Sequence, residues 1–112
     1  MKEPGFFLVV RFWIAPQAEA GILGWLQAGH VAEVLAQPGF LWCRRIRLAD
    51  PDPQGWKGYS MLYGTESQDA YDRYNGNETL RARFASQRAP FEKHLRIERY
   101  AGAVDFALDR QP

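Results

Sequence analysis

Apolar positions along the chain recur with two periods, and the switches between them mark out the elements. Residues 6–13, Phe-Phe-Leu-Val-Val-Arg-Phe-Trp, are aromatic and β-branched and read as a first strand. Its even positions, Phe6, Leu8, Val10 and Phe12, are wholly apolar, whereas the odd ones include Arg11, so the even face is expected to be the deeper one. From about Ala18 to Gln37 the period lengthens. At about 100° per residue, Ile22, Leu23, Leu26, His30 and Val34 fall on one helical stripe, with Trp25, Ala28, Gly29, Ala32 and Ala36 to one side. The small residues of that flank would let another backbone approach. Pro16 suits the first turn, and Gln37-Pro38-Gly39 stops the helix.

Alternation returns from Phe40 to Leu48, a second strand with Phe40, Trp42, Arg44, Ile46 and Leu48 on one face and Leu41, Cys43, Arg45 and Arg47 on the other. The turn-rich Ala49–Gly55 joins it to a third strand, Trp56 to Gly64, which carries Tyr59, Met61 and Tyr63 on one face. Thr65-Glu66-Ser67-Gln68 offers a capping box, with Ser67 as the alternative cap, to a short helix bearing Tyr71 and Tyr74. Asn77 can cap a second short helix with Leu80 and Phe84, which Pro90 ends or kinks. A fourth strand runs from about His94 to Ala103, and residues 105–112 form a weakly patterned tail expected to order only in part.

The order β-α-β-β-α-β is the split β-α-β plan, an α+β, ferredoxin-like fold: one antiparallel sheet of four strands with its helices on one face. At 112 residues the chain is expected to be one such domain, residues 1–112. Nothing remains to cover the other face, where Phe7, Val9 and Trp13 lie. That exposure predicts a homodimer through the sheet face.

Charge narrows the partners. Lys plus Arg is 14 and Asp plus Glu 13, a net +1, so a nucleic-acid partner, which requires a basic surplus, is not expected. No run approaches the roughly 18–20 apolar residues of a membrane span, and Arg11 ends the first apolar run too early for a signal segment, so no membrane partner and a cytoplasmic location are expected. The single cysteine, Cys43, reads as a reduced structural thiol, because the adjacent Arg44 and Arg45 alternate across a strand.

The elements and their spacing resemble the dimeric α/β-barrel superfamily, in which two ferredoxin-like sheets pack face to face, and within it a small uncharacterised family. The residues that carry the likeness are Trp25 to His30, Val34-Leu35, Gly39-Phe40, Tyr59 and Tyr63, Glu66-Ser67, and Tyr71 with Tyr74, within a span from about Val9 to Arg99. The resemblance implies a dimer of two such sheets and a superfamily that includes cofactor-independent monooxygenases, haem-degrading enzymes, lactone isomerases and decarboxylases, as well as proteins with no known activity. Such a spread fixes no reaction.

Several residues could carry chemistry. His30 interrupts an apolar stripe, which suits an acid/base or ligand-orienting group in a helix–sheet cleft, or a core histidine whose nitrogens are satisfied by protein. Tyr63 is its expected hydrogen-bond partner. Phe12, Trp42 and Tyr59, with Trp25, are expected to wall a pocket for a small apolar or aromatic ligand, although aromatic residues equally suit core and interface. His30, Glu33 and His94 lack metal-ligand spacing, so no metal is expected. Arg44, Arg45 and Arg47 could take an anion or protect a strand edge. Gly21, Gly24 and Gly29 form no phosphate loop, so no cofactor is expected, and without GxSxG no Ser-His-Asp arrangement can be argued. Two readings follow: a cofactor-free protein that binds or transforms a small apolar or aromatic metabolite beside His30, or a non-catalytic dimeric binding or structural module. A cavity of about 300 Å³ or more beside His30 would favour the first.

Overall fold

The computed structural model describes residues 2–112. Strand β1 spans Phe6–Ile14, β2 Phe40–Arg47, β3 Lys57–Thr65 and β4 Leu95–Ala103. They form one antiparallel sheet in the order β2-β3-β1-β4, the ferredoxin-like arrangement. Register fixes the faces. Phe12 lies opposite Tyr59 and Ile97, Val10 opposite Met61 and Arg99, and Leu8 opposite Tyr63 and Ala101, so the even positions of β1 share the helix-facing side with the odd positions of β3 and β4. Leu8, Phe12, Ile14, Tyr59, Met61 and Tyr63 are buried there, as the pattern of β1 and β3 requires.

The first helical segment begins with a 3₁₀ turn, Pro16–Ala18, continues as α1, Glu19–Trp25, passes through a π-turn, Leu26–His30, and ends as α2, Val31–Leu35. The backbone keeps right-handed helical angles at Trp25, Leu26, His30 and Val31, so these pieces form one rod. The wider turn alters the face that the rod buries. Ile22, Leu26 and Val34 are buried as expected, but Val31 and Leu35 also pack on the core, because the π-turn rotates everything beyond it. The small flank faces water: Ala28, Ala32 and Ala36 are exposed and receive no backbone.

Ser67, not Thr65, caps α3 (Gln68–Asn75): its Oγ accepts from the Ala70 N–H at 3.2 Å. Thr65 is buried in β3, and its hydroxyl donates to the carbonyls of Phe6 and Ser67. Asn77 caps α4 (Glu78–Arg88) as expected, and Pro90 sits in the 3₁₀ turn Ala89–His94 that leads into β4. Gly39 holds φ +85 in the turn before β2, against Ala70, where a side chain would be strained and would collide. Residues 104–112 carry no helix or strand and are exposed throughout, with Phe106 and Leu108 the most exposed large apolar residues.

One strand departs from simple alternation. The β2–β3 register shifts between Phe40 and Trp42, so Phe40 faces the helices with Thr65, whereas Trp42, Arg44 and Ile46 point to the outer face. A bulge of one residue reverses the phase of a strand, and Phe40 therefore does not share the face of Trp42. On the outer face Phe7, Val9, Trp13 and Leu62 are only half-buried, and Ile46 and Tyr100 are exposed.

Candidate functional site

Between the helical rod and the sheet lies a cavity of about 410 Å³. Leu8, Val10, Phe12 and Met61 form its floor, Ile22, Leu26 and Val34 its roof, and Trp25, His30, Tyr63, Tyr74, Arg88 and Arg99 supply its aromatic and polar surface.

His30 owes its position to the π-turn. In an α-helix residues five apart point about 140° away from each other, but a turn closed at i+5 brings them into line. Trp25 and His30 accordingly stack, with ring centroids 4.1 Å apart and planes inclined by 24°. Phe84 of α4 closes the other side edge-on at 4.4 Å. Trp25 is itself pinned, its Nε1 donating to Gln87 Oε1 at 3.2 Å, and an Arg83–Glu33 ion pair ties the same helices together. The imidazole is thus held between α1 and α4 before any ligand arrives.

Nδ1 of His30 is sealed from solvent and has no hydrogen-bond partner, which leaves Nε2 as the nitrogen through which the ring can engage a ligand. Burial lowers the His30 pKa to about 4, with the cations of Arg88 and Arg99 adding to the effect, so the ring is neutral at pH 7. No strand-three hydroxyl satisfies it, in contrast to the expected Tyr63 partnership. Burial, then the neighbouring Cys43 and Tyr74, raise the Tyr63 pKa far above the ordinary phenol range, so Tyr63 is a permanent donor and never a base.

The other candidates separate. Phe12 lines the cavity. Tyr59 is buried on the same face but stacks on Phe12 at 5.6 Å, behind the cavity wall and not in it. Trp42 is displaced altogether: the bulge in β2 turns it to the outer face, where it meets Phe7 at 5.6 Å and Arg44 at 4.7 Å. It cannot wall a helix–sheet pocket. His30, Glu33 and His94 are not brought together, since Glu33 pairs with Arg83 and His94 lies beside Gln17. Arg45 reaches Gln27 and Arg44 covers Trp42, so the arginine run forms no joint site. Two polar lining residues escape the sequence reading, Arg88 and Arg99. The signal for Arg99 was present, because Leu95, Ile97 and Arg99 share one face of β4.

Cys43 faces the helices, and burial pushes its thiol up to about 11 against the opposing pull of Tyr63, Arg44 and Arg45. It is a protonated packing residue at neutral pH. Cys43→Ala should cost at most about 1–2 kcal/mol of stability and leave ligand affinity unchanged, read by urea titration and calorimetry.

A split β-α-β sheet roofed by helices, with an apolar cavity between the layers, defines a ferredoxin-like protein with a small-molecule-sized site. The chain belongs to the family described as a domain of unknown function, DUF4286, whose model matches residues 6–97. No curated protein sequence matches it. Among solved structures it is similar to a monooxygenase of Streptomyces coelicolor in complex with nanaomycin D, at 16% identity and TM-score 0.67, over 96% of this chain and 94% of that one. It is similar to SnoaB, a cofactor-independent oxygenase of Streptomyces nogalater, at 17% identity and TM-score 0.68, over 96% and 99%. It is also similar to a dimeric ferredoxin-like protein from an uncultured marine organism, at 14% identity and TM-score 0.64, over 94% and 99%. At these identities the likeness establishes the fold and not the reaction. Among the described residues no helix is long and apolar enough to cross a membrane.

Proposed function

We propose that the chain binds a small, flat, mainly apolar molecule in the cavity beside His30, as a homodimer whose sheets pack outer face to outer face. The observation that carries the binding reading is the cavity itself: about 410 Å³ stays open between helix and sheet, where a purely structural module would fill the space with side chains. Apolar walls take the body of the ligand, Tyr63 donates to an oxygen on it, and His30 Nε2 supplies a second polar contact. A histidine with a pKa of about 4 stays unprotonated through the neutral range but is a weak base, so this geometry suits orienting a ligand better than removing a proton from a weak acid. SnoaB, of the same fold, is a cofactor-independent oxygenase, and cofactor independence is part of this proposal.

Support for the dimer comes from the outer face. Phe7, Val9, Trp13 and Leu62 have no covering layer, and Arg11 Nε in their midst is sealed without a partner. A similar fold is a dimer in the marine protein. The pairing should bury at least about 1,500 Å² in total.

Calorimetric titration with 2-naphthol, neutral at pH 7, tests the site. We expect saturable binding, a loss of about fivefold or more in His30→Phe, which keeps an aromatic ring and removes both nitrogens, and in Tyr63→Phe, which removes only the hydroxyl, and abolition in Leu26→Trp, which fills the cavity. Absence of binding, or undiminished binding in all three variants, would overturn the reading.

A further inference from the structure

The cavity holds an unbalanced charge. Two guanidinium groups line it, Arg88 from the end of α4 and Arg99 from β4, and no carboxylate of the described residues does. Arg99 stands opposite Val10 on the helix-facing side of β4, between Ile97 and Ala101 in an otherwise apolar row. Arg88, half-buried, is the last residue of α4 before the 3₁₀ turn that returns the chain to β4, and Arg99 is exposed on β4, so the two cations that line the cavity come from neighbouring segments. Among the described residues neither takes part in a salt bridge, although Arg83 and Arg96 do. Glu92 is near enough to attract Arg88 but lies outside salt-bridge distance and does not line the cavity. Burial, and then the facing Arg99, disfavour the charge on Arg88, and burial, followed by both arginines, disfavours a third cation on His30. Like charges set together in partly desolvated space destabilise a protein unless an anion completes the set.

The geometry points to a ligand that is an organic acid: a flat apolar body in the pocket beside His30 and a carboxylate held between Arg88 and Arg99. This rests on the binding reading above and specifies its substrate class. A carboxylate matches the planar fork of a guanidinium, which donates two parallel hydrogen bonds to it, and gains strength from the apolar surroundings. The arrangement also orients the ligand, since the acid must lie toward the α4–β4 wall and the ring toward Leu26 and Met61.

Two probes of equal shape, 2-naphthoate and 2-naphthamide, separate the possibilities in calorimetric titration at pH 7. The expected result is naphthoate binding at least about tenfold tighter than the amide. Arg88→Gln and Arg99→Gln should each lower naphthoate affinity about tenfold while changing amide affinity less than about threefold, with thermal melts confirming folded protein. In the full chain, naphthoate should raise the titration midpoint of the His30 ring, followed by NMR, and the amide should not. Equal affinity for acid and amide in the wild-type protein, or equal losses for both probes in the arginine variants, would overturn the organic-acid assignment and leave the apolar site standing. Binding of neither probe would overturn both.

Discussion

Val9→Asp should yield a folded monomer. Val9 lies at the middle of the outer face, opposite Leu62 on β3 and Tyr100 on β4. Its neighbours along the strand, Leu8 and Val10, point the other way into the helix-facing core, which the substitution leaves untouched. In a face-to-face dimer the new carboxylate is carried into apolar surroundings with no assured partner, at a cost of several kcal/mol. Each 1.4 kcal/mol is about tenfold, so the dimer dissociation constant should rise by roughly 10²–10³ or more. Sedimentation velocity at micromolar concentration reads the outcome, and far-ultraviolet circular dichroism confirms that secondary structure persists. Wild-type sedimentation by the variant would place the interface elsewhere, and a wild-type monomer would remove it.

The second large effect is a loss of stability in mild acid. In the folded chain burial, reinforced by Arg88 and Arg99, depresses His30 from its ordinary 6.5 to about 4. Between those values the unfolded chain binds a proton that the folded chain refuses, so stability rises with pH in that window. His30 therefore contributes in full above about pH 6.5, and its contribution drains away as the pH falls toward 4. Discounted for the part of the ring that stays accessible, the loss is on the order of 2 kcal/mol, several degrees in melting temperature for a domain of this size. Carboxylates titrate in the same direction. Asp52 is held below the usual carboxylate range, its desolvation being outweighed by hydrogen bonds from Arg96 and from the Trp56 and Gln54 N–H groups. Comparison with His30→Phe isolates the histidine: thermal melts from pH 7.5 to 4.5 should be distinctly flatter for the variant. Parallel slopes would show that the imidazole protonates freely in the fold.

How far the sequence discloses this protein depends on which rule each segment obeys. Strands β1 and β3 alternate, and their helix-facing positions, Phe6 to Phe12 and Tyr59 to Tyr63, could be read directly, although Thr65, taken for a cap, belongs to β3. The turn after α2 and the Asn77 cap rest on local chemistry and were equally plain. Two single-residue irregularities were not. The bulge at the start of β2 makes no compositional mark, yet it moves Trp42 from the cavity side to the outer face. The π-turn is likewise silent, because an even 100° step assumes α geometry throughout, and it draws Val31 and Leu35 onto the core. Phe12 reaches the cavity because its position depends on the face of its own strand alone, whereas His30 reaches it by way of a π-turn that the even step did not include. The pairing of Arg88 with Arg99 depends on how the end of α4 returns to β4, a tertiary relation that local pattern does not encode.

The π-turn also bears on how the chain can vary in length. Ile22 and Leu26, up to its first residue, and Val31, Val34 and Leu35 after it, are one residue out of step for a uniform α-helix. Loss of one residue between Leu26 and Val31, such as the exposed Ala28, would bring both sets into a single α-helical frame and leave Trp25 and His30 one turn apart and still adjacent. The same loss within Glu19–Trp25 or Val31–Leu35 would swing the residues on one side of it by about 100° and carry core groups into water. The rod is thus an ordinary amphipathic helix that carries one supernumerary residue, and the place where that residue is stored is the place where the histidine is presented to the cavity.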